Sequence, residues 1–389
     1  MPHGLELREL DPADAAASTL LGRRAFGFHP GPYPEPSLPQ GSTNHGAFVG
    51  GRLVGQAFDL HDEQWWGGRL LRAADIAGVA VAAEARGQGV ARALMGRMLE
   101  AARERGAVVS ALFPSISTVY RRLGWASVGS VDTWSVPTLS LPRTGVPGLT
   151  VREGTDADLV ASHELYRTVA AANNGMLSRD ELRFQRTELP DIADGLTVVA
   201  DGDSVVAYAI WTRGPRYGPD GALTVHDVLA LNQDAARSLL AVLSSWHTVV
   251  PELRMRLLGG DAVTDLISVE TRSRKSVGWM HRPVDVAGAV VARGWPAGVS
   301  GRASFTLTDD LAPWNAGAWE LSVSDGAGEL KRCGDASVAL SVAGFASLFC
   351  GVASPEQVAA AGHATGPASD LAALGVLAVG TPPRVLNTF

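Results

Sequence analysis

The amino-acid sequence predicts two related α/β domains followed by an α+β domain. Three observations support this prediction. Around residues 79–102 an apolar strand leads into a glycine turn and then into a helix, which is the building unit of an α/β fold. From Leu149 a similar order of strand and helix patterns begins again. From about Pro283 a helix is followed by several strands and then by two further helices, an order typical of α+β domains.

The first region, residues 1–146, alternates between strand and helix patterns, and prolines at its end mark a boundary. Residues 30–39 are rich in proline, which excludes regular structure there. The predicted elements before the glycine turn are a strand near Leu5–Arg8, a helix from Asp11-Pro12 through Leu21, strands at Ala47–Val49 and Leu53–Leu60, and a strand Leu70–Ile76 that pairs with the latter across a loop holding Trp65-Trp66-Gly67-Gly68.

The glycine turn is the most informative segment of the chain. Gly87 and Gly89 permit a tight turn and the close approach of a ligand. The helix that follows offers unpaired N–H groups and a positive dipole end, which favour a phosphate or pyrophosphate, and Arg86 adds a charge. Neither a dinucleotide G-x-G-x-x-G pattern nor a P-loop is present, and an ordinary strand–turn–helix corner is the alternative. The candidate binding residues are Val79, Ala80, Val81, Arg86, Gly87, Gln88, Gly89, Val90 and Ala91.

A second segment lies downstream of this turn. Val108–Phe113 is predicted to be a strand, which Pro114-Ser115 ends, and Ser117–Leu123 is predicted to form one or two helical turns before Gly124-Trp125. A tyrosine in such a helix, here Tyr120, usually packs in a core with a satisfied hydroxyl.

The spacing Arg86-x-x-Gly89-x-Ala91 resembles the acyl-CoA-binding motif of the GNAT acetyltransferases, in which this turn holds the pyrophosphate of CoA. The string from Tyr120 to Trp125 is similar to the Tyr-x-x-x-Gly-aromatic ending that follows the fifth strand of that family. The resemblance implies acetyl-CoA as co-substrate, bound also by Ser115, and a backbone N–H of Ala80 or Val81 for the oxyanion. It implies Tyr120 as the acid that protonates the CoA sulfur, since a phenol holds its proton at neutral pH.

The second region, residues 147–282, repeats the pattern without the glycine turn. No glycine turn and no basic residue precede its helix Gln233–Trp246, so we expect a degenerate GNAT fold that has lost its cofactor site and has an architectural role. The elements predicted before this helix are a strand Thr150–Arg152, a capped helix Thr155–Ala172, and strands Leu196–Ala200, Val205–Thr212 and Ala222–Ala230.

The third region, residues 283–389, resembles the sterol carrier protein fold by its order of elements. Its predicted elements are a helix Val284–Gly294, strands Gly301–Leu307, Gly317–Val323 and Ser337–Ser341, and helices Ala343–Gly351 and Pro355–Ala361. Fold resemblance of this kind does not imply lipid transport.

Taken whole, the chain is similar to the Eis (enhanced intracellular survival) family of N-acetyltransferases. That resemblance implies that the C-terminal tail reaches the active site of the first domain. The carboxylate of Phe389 would then be the base that deprotonates the incoming amine, as an ammonium group near pKa 10.4 requires. A frayed terminus is the alternative for Phe389, and Asp75 is the rival base.

Two departures from the family remove negative charge near the amine. Phe28 and Thr388 stand where acids are common, which argues against promiscuous acetylation of aminoglycosides and permits a narrower, more apolar amine as the substrate. The candidate substrate-binding residues are Phe26, Phe28, His29 and Trp65, with His29 alternatively a plain loop residue. The hairpin beside Trp65-Trp66 carries polar residues that either restore some charge or are simply solvated, namely Asp59, His61, Asp62 and Glu63.

Composition excludes several classes of function. A net charge of −7 over 389 residues argues against a nucleic-acid partner. Two cysteines make no disulfide framework, and no metal-ligand spacing occurs. The longest apolar run has ten residues, Leu371–Gly380, and the start lacks signal-peptide features, so we expect a cytoplasmic protein that does not enter the membrane. The family resemblance implies a homo-oligomer, commonly a hexamer.

The predicted function is therefore acetyl transfer from acetyl-CoA to a primary amine of an antibiotic, polyamine or peptide, without a metal. Two alternatives stay open. One is the use of a longer acyl-CoA, and the other is a non-enzymatic lipid-binding protein that uses the C-terminal domain.

Overall fold

The computed structural model describes residues 4–27, 35–181, 184, 188–190, 192–216 and 218–389. Its contacts divide the chain into two compact units. The first unit comprises Met1–Val128, Trp279–Pro383 and Phe389, and the second comprises Gly129–Gly278 and Arg384–Thr388. The domain boundaries at 146/147 and 282/283 remain a prediction.

The strands are β1 (Leu5–Glu9), β2 (Thr43–Val49), β3 (Arg52–Asp59), β4 (Glu63–Trp66), β5 (Arg69–Val81), β6 (Val109–Leu112), β7 (Ala126–Pro137), β8 (Thr150–Glu153), β9 (Gly195–Asp201), β10 (Ser204–Arg213), β11 (Ala222–Ala230), β12 (Glu252–Arg256), β13 (Ser273–Pro283), β14 (Gly301–Thr308), β15 (Gly317–Ser324), β16 (Ala327–Arg332), β17 (Ala339–Ser341) and β18 (Ala364–Thr365). The helices are α1 (Ala15–Phe26), α2 (Val90–Glu104), α3 (Ser117–Arg121), α4 (Asp156–Ala171), α5 (Gln233–Ser244), α6 (Ala262–Asp265), α7 (Val286–Ala292), α8 (Val342–Phe349), α9 (Pro355–Ala360) and α10 (Ala368–Ala373).

The first sheet of the first unit has the order β1-β2-β3-β5-β6-β13, with Met280–Pro283 supplying the last strand. Strands β5 and β6 run parallel, and the other neighbours in this order run antiparallel. Strand β4 forms a hairpin with the start of β5 through the turn at Gly67-Gly68. A parallel pair inside an otherwise antiparallel sheet needs a crossover, which helix α2 provides.

Helix α2 packs on this sheet through one apolar side. Its residues at helical spacing are fully buried in a single cluster with residues of β5 and β6. The cluster contains Leu94, Met95, Met98 and Leu99 from the helix, and Ile76 and Leu112 from the strands. This packing fixes the position of the N-terminus of α2 relative to the ends of β5 and β6.

The first unit also holds the C-terminal sheet, of order β16-β15-β14-β17-β18. Phe345 of α8 packs on Phe305 of β14, with ring centroids 6.0 Å apart. A buried ion pair connects this part to the first sheet. Arg282 on β13 donates to Asp309 at 2.5 Å and to the carbonyl of Leu123 at 2.6 Å.

The second unit has a sheet of order β8-β9-β10-β11-β12-β7, in which β11 and β12 are parallel. Its last strand is Thr133–Pro137. Helix α4 begins with a capping box formed by Thr155 and Asp158, as predicted.

Several sequence expectations need correction. Trp65 and Trp66 lie in β4 and not in a loop, because Gly67-Gly68 alone forms the turn. The predicted strand Leu70–Ile76 continues to Val81 as one strand, β5. Helix α1 extends to Phe26, where Gly27 ends it with φ of 67°. Strands β7, β12, β13 and β16 were not predicted from the sequence.

Candidate active site

A cleft opens where the parallel strands β5 and β6 separate. Their pairing ends at Ile76 and Leu112. Beyond that point β6 stops, whereas β5 continues to Val81 and pairs only with β3. Ligands of parallel sheets bind outside the carboxyl ends of the strands, so this edge is the expected binding position.

A β-bulge lies in β5 at the same point. Gln56 and Phe58 of β3 are opposite Ala80 and Ala77, so two residues of β5, Gly78 and Val79, face a single residue of β3. Gly78 has φ of 60°, in the left-handed region, and a β-carbon there would lie 2.5 Å from the ring of Phe58. The bulge disturbs the hydrogen-bond ladder between β3 and β5 beside the cleft.

The glycine turn is exposed and precedes α2 directly. Gly87 and Gly89 have φ of 74° and 83°. The first hydrogen bond inside the helix runs from Ala93 N to Gly89 O, at 3.0 Å, so the N–H groups before it have no acceptor within the helix. Arg86 Nε donates to the carbonyl of Val81 at 3.2 Å, and Gln88 Nε2 donates to that of Glu84 at 2.8 Å, which holds the turn in shape. Because glycine caps the helix, the geometry fits an anion such as a pyrophosphate.

A cavity of about 550 Å³ lies at the cleft. Its walls come from α1, the residues after position 34, β3, the bulge, the end of β6, α3 and the last residue of the chain. They include Ser18, Thr19, Gly22, Arg23, Phe26, Glu35, Pro36, Ser37, Pro39, Gln56, Phe58, Ile76, Ala77, Gly78, Val79, Leu112, Phe113, Ser115, Tyr120 and Phe389.

Tyr120 is held at the cavity by the turn that follows it. Gly124 has φ of 91°, and Trp125 N donates to Tyr120 O at 3.0 Å, which closes the helix. The Trp125 ring is fully buried and meets the Tyr120 ring edge-on, with centroids 6.4 Å apart. Burial raises the pKa of Tyr120 above its ordinary value, so the phenol keeps its proton at neutral pH.

Phe389 is half-buried and packs against Phe113, with ring centroids 5.0 Å apart in an edge-on arrangement. The aromatic contact fixes the last residue in the wall of the cavity. Its main-chain carboxylate therefore belongs to the same part of the first unit as Tyr120.

Gln56 is a polar residue of the cavity wall that the sequence analysis missed. Its side chain is 3% exposed. Among the residues that the structure describes, its Oε1 has no hydrogen-bond partner. Among the described residues of the wall, the charged side chains are those of Arg23 and Glu35, and both are exposed.

The predicted site residues fall into three groups. Val79, Ser115, Tyr120, Phe389 and Phe26 line the cavity. Residues 86–89 of the glycine turn are exposed and precede α2, whose first residues are Val90 and Ala91. Ala80 is buried in β5, and Val81 and Arg86 line a separate hollow of about 270 Å³. Trp65 lies in β4 and not in the described cavity wall. Phe28 and His29 lie outside the described residues.

The acids considered from the sequence have other environments. Asp75 is fully buried, does not line the cavity, and accepts a hydrogen bond from Gln64 at 2.7 Å. Asp59 is also buried and pairs with Arg105, whose Nη2 lies 2.8 Å from Asp59 Oδ1. Simple solvation, one of the two alternatives for the hairpin acids, is therefore wrong for Asp59 and for Asp62, which is 0% exposed.

The second unit repeats the cleft with different contents. Its parallel pair ends at Val225 and Met255, and β11 has a register shift beside Asp227. A cavity of about 440 Å³ lies there. Arg179 forms an ion pair with Asp227 at 2.5 Å, and Tyr208 donates to the same carboxylate at 2.8 Å.

Comparisons with known proteins agree with this architecture. Models of the acetyltransferase (GNAT) domain match residues 6–128 and 175–293, and a model of the sterol carrier protein domain matches residues 286–385. An uncharacterized N-acetyltransferase of Streptomyces avermitilis is 30% identical over 327 residues, 76% of each chain.

Solved structures are similar over nearly the whole chain. A GCN5-related N-acetyltransferase from Kribbella flavida has 27% identity and a TM-score of 0.83, covering 99% of this chain and 98% of its own. Eis1 from Mycobacterium abscessus has 21% identity and a TM-score of 0.77, covering 99% and 100%, and shares the fold.

Two GNAT domains followed by a sterol carrier protein domain define an acetyltransferase, and the predicted fold class is confirmed. The chain belongs to the GNAT N-acetyltransferases and is Eis-like in its organisation. A GNAT domain implies acetyl-CoA as the co-substrate and an amine or other group as the acceptor.

Two further observations concern the described part of the chain. It contains no group of three or more His, Cys, Asp or Glu side chains arranged to hold a metal ion. None of its helices combines the length and apolar character needed to cross a bilayer.

Proposed function

We propose that the chain transfers the acetyl group of acetyl-CoA directly to a primary amine while both substrates are bound at the cavity of the first unit. One observation carries this proposal. Tyr120, Phe389 and the bulge at Gly78-Val79 line one cavity, at the point where β5 and β6 separate. Aminolysis of a thioester is assisted by an acid for the leaving thiolate, a base for the amine and a hydrogen-bond donor for the oxyanion. Tyr120, the carboxylate of Phe389 and the backbone of the bulge would supply these three functions.

The glycine turn and the N-terminus of α2 bind the pyrophosphate of CoA, so the thioester extends toward the cleft. A backbone N–H of the bulge donates a hydrogen bond to the thioester oxygen as negative charge develops on it. We assign this hydrogen bond to Gly78 or Val79 and not to Ala80 or Val81. Gly78 and Val79 line the cavity, whereas Ala80 is buried in the strand.

The proton transfers balance with the help of solvent. The terminal carboxylate of Phe389 takes a proton from the ammonium group and passes it to solvent, and the neutral amine attacks the carbonyl carbon. A C–N bond forms, and the attacking nitrogen, now positively charged, gives its second proton to the same carboxylate. The C–S bond then breaks, the leaving thiolate takes the phenolic proton of Tyr120, and the proton held by the carboxylate returns to the phenolate through solvent.

Substitution of Tyr120 tests the acid. We expect Tyr120→Phe to lower kcat by 10²- to 10⁴-fold in a thiol-release assay with acetyl-CoA and phenethylamine, while the KM for acetyl-CoA changes little. The control is Tyr166→Phe, which removes a hydroxyl that donates to Leu177 O in the second unit. Equal kcat values for Tyr120→Phe and wild type would overturn the assignment.

A change at the C-terminus tests the base. Two glycines added after Phe389 displace the carboxylate and keep the ring, and we expect kcat to fall at least 10²-fold. The control is Phe389→Leu, which keeps a terminal carboxylate at the same chain position, and we expect it to lose much less. Full activity of the extended chain would exclude the carboxylate as base. The same assay with longer acyl-CoA esters tests the alternative acyl donor.

A further inference from the structure

Three arginines line one hollow of the first unit, beside the start of α2. The hollow has a volume of about 200 Å³ and lies between the start of α2, the end of α3 and the start of α8. Arg92, Arg121 and Arg122 line it together with His363 and the residues that follow β14. It shares no described lining residue with the cavity that holds Tyr120. We call it the arginine hollow.

Packing between elements builds this hollow. A β-carbon at Gly124, after α3, would lie 2.6 Å from Cγ1 of Val342, the first residue of α8. A β-carbon at Gly96 of α2 would lie 3.4 Å from Cδ1 of Leu311, which follows β14. Both close approaches join α2 and α3 to the part of the chain that the sterol carrier protein model matches. All of these residues belong to the first unit, so its packing fixes the walls of the arginine hollow.

The guanidinium groups of the arginine hollow are available to a ligand. Arg92, Arg121 and Arg122 are exposed. Within the described part of the chain none of them pairs with a carboxylate. Arg92 donates to the carbonyl of Asp310 at 3.4 Å, and Arg121 donates to Ser117 Oγ at 3.2 Å. Because a guanidinium group has five N–H donors, most of its donors remain for an anion.

The acids of the arginine hollow do not cancel this charge. Asp309 lines the hollow but is buried and accepts from Arg282 at 2.5 Å, so its charge is already paired. Asp310 is exposed and is the remaining acid among the described lining residues. Helix α8 begins at the hollow, which directs the positive end of its dipole there. On a chain with a net charge of −7, this local excess of positive charge favours a ligand with more than one negative charge.

The arginine hollow adjoins the glycine turn. Arg92 is the third residue of α2, and Gly89 precedes that helix. Three residues of an α-helix span only about 4.5 Å along its axis, and helical side chains lean toward the N-terminus. At the other end of the site, Arg121 directly follows Tyr120, which lines the acceptor cavity. A CoA molecule with its sulfur at Tyr120 and its pyrophosphate at the glycine turn therefore has its nucleotide end within reach of the arginines.

We infer that the arginine hollow binds the 3′-phosphate of CoA, with Arg92, Arg121 and Arg122 as the donors. A phosphate monoester carries nearly two negative charges at neutral pH, and arginine binds phosphate through paired, charge-assisted hydrogen bonds. The hollow holds one phosphate group and a few water molecules, each of which occupies about 30 Å³. The C-terminal part of the first unit thus completes the nucleotide site. This inference rests on the proposed function, because it places CoA at the glycine turn.

The first experiment compares CoA with 3′-dephospho-CoA in calorimetry on the full-length protein. We expect the Kd of 3′-dephospho-CoA to be at least tenfold higher, since a tenfold change corresponds to part of one charge-assisted hydrogen bond. Equal Kd values would overturn the inference and leave the proposed function intact. Binding of neither molecule would instead overturn the proposed function.

The second experiment separates binding from chemistry in the thiol-release assay with phenethylamine. We expect acetyl-3′-dephospho-CoA to have a KM at least tenfold above that of acetyl-CoA, with a similar kcat, because the reacting atoms are the same. A lower kcat with an unchanged KM would contradict a role in binding alone.

The third experiment changes the arginines. In the triple variant Arg92→Gln, Arg121→Gln, Arg122→Gln we expect the Kd of CoA to rise at least tenfold and that of 3′-dephospho-CoA to change little, so the preference for CoA disappears. If the triple variant folds poorly, each single variant should still reduce the preference. A preference equal to that of the wild type in all of them would refute the inference.

Arg97→Gln is the matched control. Arg97 also lies on α2 but pairs with Glu100 and Glu104 and does not line the arginine hollow, so we expect an unchanged preference for CoA. Inorganic phosphate tests the other source of the same chemistry. Equal binding of the two CoA forms, with binding of inorganic phosphate that the triple variant loses, would show a site for free phosphate and overturn the inference.

Discussion

Replacing Gly78 by alanine tests whether the bulge of β5 is built by steric necessity. Gly78 has φ of 60°, and an L-residue in this region costs about 1–2 kcal/mol. The new β-carbon would also lie 2.5 Å from Cδ2 and Cε2 of Phe58, and overpacking of this kind costs about 1–3 kcal/mol. We therefore expect Gly78→Ala to lower the free energy of unfolding by about 2–5 kcal/mol.

Gly87→Ala is the matched control. Gly87 has φ of 74°, but a β-carbon there has no heavy atom within 4 Å. Gly87→Ala should therefore lower the free energy of unfolding only through the left-handed backbone conformation, by about 1–2 kcal/mol. The difference between the two variants isolates the contact between Gly78 and Phe58.

Urea unfolding measures the loss of stability in each variant, and the thiol-release assay measures the loss of activity. In Gly78→Ala either the Phe58 ring or the bulge must shift, and both belong to the cavity wall, so we expect kcat/KM for the amine to fall at least 10²-fold. Gly87→Ala should mainly raise the KM for acetyl-CoA. If Gly78→Ala proves as stable as Gly87→Ala, the steric account of the bulge fails.

Gly89→Glu places a carboxylate against the proposed pyrophosphate, and calorimetry should show at least a 10²-fold weaker Kd for CoA; unchanged binding would exclude the turn as the anion site. Burial, with a smaller effect of a nearby Arg charge, lowers the pKa of His281 to about 3, so the unfolded chain binds a proton below pH 6.5 that the folded chain does not. Stability should thus fall by about 2 kcal/mol from pH 7.5 to pH 5 through this group, and urea unfolding of His281→Phe should lack that part. Arg282→Met should cost about 3–5 kcal/mol by leaving buried Asp309 uncompensated, and Arg282→Met with Asp309→Asn should recover much of it in the same assay.

Local signals made part of the site predictable. Two glycines followed by apolar residues at helical spacing predicted the turn and α2, and the structure has both, with the two glycines at positive φ. The short helix with Tyr120 was equally local, because Gly124 ends it. These elements depend on neighbours within a few residues, which a sequence displays directly.

The bulge and the buried acids depend on partners distant in sequence. A glycine within a strand pattern signals either a break or a bulge, and only the register of β3 decides that Gly78 forms a bulge. Asp59 appeared to be a solvated hairpin acid because its partner, Arg105, is 46 residues away. Gln56 could not be recognised either, since the alternation of a strand does not tell which buried polar group lacks a partner.

The two repeats differ in the residue that caps the helix after their parallel strand pair, Gly89 in the first and Asn232 in the second. In the second unit Asn232 caps α5, and its side chain accepts from Ala235 N at 2.9 Å, so part of the helix end is satisfied by the chain itself. In the first unit Gly89 has no side chain to do this, and the N–H groups of α2 are left for a ligand. The second cleft is likewise internally neutralised, because Arg179 and Tyr208 both bond Asp227. The physical requirements for binding CoA are therefore concentrated in the first repeat, and this distribution favours a structural role for the second.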